Sequence, residues 1–292
     1  MTAPRRFVEL AAGTAAVSLC LQGGRAAGPV LSRPGNKRAL APAILGALGL
    51  RPGLGADSYL WCEREDGPRA FLDALPDPLL LDEVCGVLRA WLPSEPRALW
   101  DRLRGEFPTS AGGDARAVAR HLVLHRWSFQ EKGPAAGWGG PGSRVNAPTA
   151  NWTTEQRDRA IGLERLAFLV EQSAAIRWPP VRVEADARSA VLLHGDVVHL
   201  DPSYAGTTPY AHNLTRADVL DLAARADRTG AVMAISEREP IEGLGTGWEA
   251  FEITAAHRGQ ARTWGGTPEW LTLNRRPVFR VAVQPPLFPG AP

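Results

Sequence analysis

Four consecutive residues, Asp201-Pro202-Ser203-Tyr204, follow the apolar run Val197-Val198-His199-Leu200. A carboxylate and a phenol ring three residues apart, just past a strand end, suit chemistry on a planar amino group carried by a heterocycle. Such a nitrogen is a poor nucleophile because its lone pair is delocalised into the ring. An acceptor for its N–H bonds, either Asp201 or the Pro202 carbonyl, returns electron density to nitrogen, while Tyr204 stacks on the exposed ring. The apolar strand would deliver Asp201 to its carboxyl end, where open α/β sheets bind ligands. Pro202 stiffens the turn. Taken alone, the tetrapeptide reads equally as a strand end followed by an ordinary Pro-Ser-Tyr turn.

A second stretch makes complementary chemistry available. In Phe7-Val8-Glu9-Leu10-Ala11-Ala12-Gly13-Thr14-Ala15 a short strand ends near Glu9, and a turn of small residues leads into a helix. Small residues let a ligand approach the backbone, and a helix N-terminus after a strand holds a nucleotide-like molecule. By itself it is a glycine-poor lookalike of a phosphate loop.

The elements that must position these residues alternate in type. A loop over 28–38 leads to a helix at about 38–48, and Ser58 to Glu63 read as the next strand. From about 77 to 131 only helical periodicity remains, in three segments starting near Pro78, Glu95 and Ala115. Residues 131–152 are rich in Gly and Pro and too long for a simple connection, and a long helix is expected at about 154–175. The α/β texture resumes with strands at 181–185 and 196–201, a helix at about 215–228 behind the N-cap candidate Thr215, and a strand in 230–236. Strands within 248–254 and 269–274 follow, and the Pro-rich 285–292 is expected to fray. Alternating strands and helices predict a parallel α/β sheet with a helical insertion. The expected parts are 1–76 for cofactor binding, 77–178 for the insertion and its loop, and 179–292 for catalysis.

With a third motif, the chain resembles the adenine-specific DNA methyltransferases of the Dam type. That family combines Asp-Pro-Pro-Tyr with FVEPFxGxG and GGKR motifs. Here they stand as DPSY at 201–204, FVELAAGTA at 7–15 and PGNKRALAPAIL at 34–45. The resemblance covers roughly 6–65 and 181–275, and leaves the helical insertion almost unaccounted for. It implies a Rossmann-like class I methyltransferase sheet, S-adenosylmethionine as methyl donor, and direct transfer to adenine N6 in double-stranded DNA.

Carried over, Glu9, Ala11 and Gly13 line the cofactor pocket, and Lys37 lies close to cofactor and target base, in contact with DNA; otherwise Lys37 is a solvated helix-start lysine. Glu63, with Glu65 as substitute, takes the ribose hydroxyls. Asp186 receives the cofactor's adenine amino group, or else merely caps the following helix. Asp201, Pro202, Ser203 and Tyr204 form the catalytic turn, Asp201 also facing the cofactor. Three departures stand out: Ser203 replaces the second proline, Leu10 replaces the proline of the first motif, and the GNKR element follows that motif instead of preceding it.

The insertion would carry target recognition, with Arg144 and Asn146 of the 132–152 loop as base contacts. Arg97, Arg102, Arg104, Arg116, Arg120 and Arg126 could meet phosphates, although solvated helix faces account for most of them. Gly206-Thr207-Thr208 would shape a lip over the base pocket. Two rivals stand beside this reading: a methyltransferase for another amino group, such as cytosine N4, an RNA base or a glutamine side chain, and a degenerate, non-catalytic DNA-binding homologue.

A net charge of +2 neither supports nor excludes nucleic acid, and no stretch is apolar for long enough to cross a bilayer. Cys20, Cys62 and Cys85 lie among apolar neighbours without close spacing, which predicts buried, reduced thiols and a cytoplasmic protein. Arg5-Arg6 before a small apolar stretch mimics a twin-arginine export signal, but Glu9 interrupts it. His121 and His125 have a zinc spacing with no further ligand nearby, so no metal is expected. The Asn151-Trp152-Thr153 sequon matters only in a secreted chain. A monomer or weak dimer is expected.

Overall fold

A computed structural model of the protein describes residues 2–24, 30, 37–106, 114–128, 138, 162–202, 213–253 and 269–275. Seven strands make one sheet: β1 Phe7–Leu10, β2 Tyr59–Cys62, β3 Val181–Glu184, β4 Val197–Leu200, β5 Val232–Glu237, β6 Glu249–Ile253 and β7 Glu269–Leu273. Their order is β3-β2-β1-β4-β5-β7-β6. The pairings among β1 to β5 are parallel, and β7 runs antiparallel to both β5 and β6. Strand order reverses between β1 and β4, which opens a crevice outside their carboxyl ends.

The central strands are apolar on both faces because both are covered. On one face Phe7, Tyr59, Trp61, Val197 and Ala234 join the larger core, under α1 Ala16–Gly23, α2 Ala41–Ala47 and the helices that follow. On the other, Val8, Leu10, Leu60, Cys62, Val198, Leu200 and Met233 pack with Val219, Leu222 and Ala226. Those three belong to the helix Arg216–Thr229, α8 below.

The helical layer comprises α3 Asp66–Ala74, α4 Pro78–Ala90, α5 Pro96–Gly105, α6 Ala115–Arg126 and α7 Leu163–Ala174. It starts at Asp66 and not near 77, since Pro68, Ala70 and Phe71 already bury one face of α3. Local sequence accounts for its starts. Asp77, Glu95 and Asp114 accept backbone N–H bonds at the N-termini of α4, α5 and α6, and proline follows the first two. The expected helix at 154–175 is described from Leu163 onward, and its first part lies outside the described residues. Thr215 caps α8 in a reciprocal box with Asp218, and Gly230 closes that helix in the left-handed conformation.

The segment that mimics an export signal forms β1, at the centre of the sheet, and α1, with Arg6 paired to Asp196 at 2.5 Å. Cys20, Cys62 and Cys85 are buried, as expected, and form no disulfide among the described residues. No helix among the described residues is long and apolar enough to cross a membrane.

Candidate functional site

The register of β1 and β4 sets Leu10 beside Leu200, and the Asp201 backbone N–H donates to the Leu10 carbonyl at 3.2 Å. Asp201 therefore emerges next to the small-residue turn. Within that turn Ala11, Gly13 and Ala15 all have positive φ, at 55°, 55° and 49°. A left-handed alanine costs about 1 kcal/mol, so two within five residues are held by their surroundings. Ala12 N–H donates to the Cys62 carbonyl at 2.8 Å, and Gly13 N–H to Glu63 Oε2 at 2.7 Å.

Glu9 does not point at the turn's open side. Its buried carboxylate accepts from the Ser18 N–H at 2.9 Å, the Ser18 hydroxyl at 2.5 Å and, more weakly, the Val17 N–H at 3.4 Å. The N-cap residue of α1 is Ala15, which has no side-chain acceptor, so Glu9 does the capping from the neighbouring strand. Trp61 Nε1 donates to the same Ser18 oxygen at 2.9 Å. Behind it His199 bonds Ser236 Oγ through Nε2 at 3.0 Å, with Nδ1 3.9 Å from Glu9 Oε1.

Beside Asp201 stands Lys37. The first residue of a 3₁₀ turn ahead of α2, it is 3% exposed. Its ammonium lies 2.9 Å from Asp201 Oδ1 and 2.9 Å from Glu269 Oε1. It is a buried cation shared by two carboxylates, not a solvated lysine. Asp201 Oδ2 makes no bond to a described residue. Burial pushes the Asp201 carboxyl above the usual carboxylate range, outweighing the opposing pull of the Lys37 ammonium and of His199.

The other expected residues fall into place less evenly. Glu63 borders the turn through Gly13 and also accepts from the Glu65 N–H at 2.8 Å. Asp186 caps the 3₁₀ turn Ala187–Ser189, accepting from the Arg188 N–H at 3.0 Å, with Arg188 Nη1 at 3.2 Å and Arg64 at 3.8 Å. Pro202 is buried. Ser203, Tyr204, Arg144, Asn146 and the lip at 206–208 lie outside the described residues.

Among the arginines of the helical layer, Arg97 pairs with Asp101, Arg116 with Glu106, and Arg120 donates to the Leu103 and Glu106 carbonyls. Burial lowers the basicity of His121, and no group of three or more His, Cys, Asp or Glu among the described residues is placed to hold a metal ion. Sequence reasoning missed Glu269 and Ser18. Glu269 sits in no motif and reaches the site only through the pairing of β7 with β5, whereas Ser18 stands in α1, just after the turn. No family model matches the chain, and a search of the curated proteins finds no match.

Proposed function

We propose that the protein is an S-adenosylmethionine-dependent methyltransferase acting on the exocyclic amino group of a base in double-stranded DNA, with adenine N6 as target. The observation that carries this reading is the junction of β1 and β4. There a half-buried carboxylate, one oxygen of which makes no bond to a described residue, adjoins a turn of small, left-handed residues, beside a buried lysine. The sheet order, with its single reversed strand, agrees with the class I methyltransferase sheet that the resemblance implies.

The residues present fit the donor. Ala11 and Gly13 are partly exposed and present no bulk, so a ligand can approach their backbone. Glu63, 2.7 Å from Gly13 N, is an acid at the end of the second strand, the type that takes ribose hydroxyls in such folds. Asp186, whose Oδ1 caps the Arg188 N–H, keeps a lone pair on that oxygen with which it would take the adenine amino group. When bound, the donor supplies a sulfonium methyl for in-line attack by nitrogen.

The chain's own part is acceptance and orientation. Asp201 Oδ2 accepts one N–H of the amino group, and the Pro202 carbonyl the other. Tyr204 stacks on the flipped base. Lys37 anchors Oδ1 and favours the ionised carboxylate against burial. Arg144 and Asn146, which fall between α6 and α7 in the chain, would read the DNA.

Methyl transfer from labelled donor to DNA, followed by nucleoside analysis, tests the proposal; N6-methyladenine is expected. Label on cytosine N4 would move the target without changing the chemistry. Absence of donor binding in calorimetry would end the reading.

A further inference from the structure

Lys37 lies between two carboxylates at equal distance, and the second, Glu269, enters through topology. In a parallel strand the last residues reach the carboxyl edge of the sheet; in reversed β7 the first one does. The pairing of Glu237 with Trp270 sets Glu269 one step beyond the end of β5, facing the junction where Asp201 emerges. Its side chain is 14% exposed.

An ammonium bound to Asp201 alone would neutralise that carboxylate and weaken it as an acceptor for a neutral N–H. Shared between two acids, the same ammonium leaves the trio with a net negative charge. We infer that Glu269 is a positioning residue that draws part of the Lys37 charge away from Asp201, so that Asp201 remains a strong acceptor for the substrate amino group. The inference rests on the methyl-transfer reading for its purpose, but the charge sharing itself is measurable without cofactor or DNA. Among the described residues the ionisable groups acting on Asp201 are Lys37, His199 and Glu269, and of these Glu269 disfavours its charge.

The test is a carboxyl ¹³C NMR titration of the full chain labelled at aspartate Cγ, with the Asp201 resonance identified by its loss in Asp201→Asn. Glu269→Gln, which keeps shape and removes charge, should lower the Asp201 midpoint. Lys37→Met should raise it, and Glu269→Asp should stay nearer wild type than Glu269→Gln. In turnover, Glu269→Gln should lower kcat roughly tenfold, the scale of one charge-assisted hydrogen bond. The KM for the donor should not change, and the acid limb of the pH profile should move down with the resonance. An Asp201 midpoint unchanged or raised in Glu269→Gln overturns the inference. Opposite shifts in the two variants, in a protein that transfers no methyl group, support the charge sharing and overturn only the functional reading.

Discussion

The carboxyl edge of the sheet and the helical layer carry similar residue types under opposite conditions. In the layer, Arg97 with Asp101 and Arg116 with Glu106 form ion pairs whose arginines are about half exposed, at 51% and 52%. Water screens such pairs, and each is worth well under about 1 kcal/mol. Arg97 also lies over Trp100 and Trp138, Arg104 over Trp100 and Arg116 over Trp91, so the aliphatic and planar parts of these side chains cover the layer's aromatic core. At the sheet edge, Lys37 is taken out of water and depends wholly on its partners. The lesson is that a cation's role follows from where the fold puts it, not from its place in a count.

The helix starts differ in the same way. Asp77, Glu95 and Asp114 cap the helices they immediately precede, whereas α1 borrows Glu9 from a strand. Local caps make the layer's helices independent of the site. The remote cap ties α1, and the strained turn before it, to the strand that also positions Asp201.

The contrast predicts a ranked series of effects. Asp201→Ala should cut methyl transfer about a thousandfold while leaving donor binding nearly intact, because it removes the acceptor and not the pocket; a variant with full rate in the labelled-donor assay would overturn its role. Lys37→Met should destabilise the fold by about 3 kcal/mol in urea unfolding, since two acids lose their shared counter-charge in a poorly solvated place. Glu9→Ala should cost about 2 kcal/mol by the same measurement, as the Ser18 N–H and hydroxyl lose a buried acceptor; a loss no greater than that of Asp114→Ala would break the distinction between remote and local caps. Arg116→Ala should change stability by less than about 0.5 kcal/mol. A larger loss there would mean that the layer's surface ion pairs carry more of the fold than their exposure allows.

Much of this arrangement was legible beforehand. The strand at Phe7, the small-residue turn, the strand ending at Asp201 and the Thr215 cap follow from local patterns, because residues close in the chain set backbone conformation and capping. The helical layer starts at Asp66 and not at about 77, because Asp66-Gly67-Pro68 has the composition of a turn and masks the apolar face that Ala70, Phe71 and Ala74 form behind it. For the site, the sequence nominated Lys37 and Asp201 separately and offered a solvated alternative for the lysine, which its burial overturns. Glu269 was invisible: an acid at the head of an ordinary strand carries no mark of its partner 232 residues away in the chain.

By itself, then, the sequence determined the strands and, α3 apart, the helices of the described residues, and that an acid would stand at the end of a buried strand. Strand order, the reversal of β7, the burial of Lys37 between Asp201 and Glu269, and the capping of α1 by Glu9 were decided by tertiary structure alone. The physical reason is range. Periodicity and capping act over a few residues, whereas the field at a carboxylate depends on whichever charges the sheet brings within hydrogen-bonding distance.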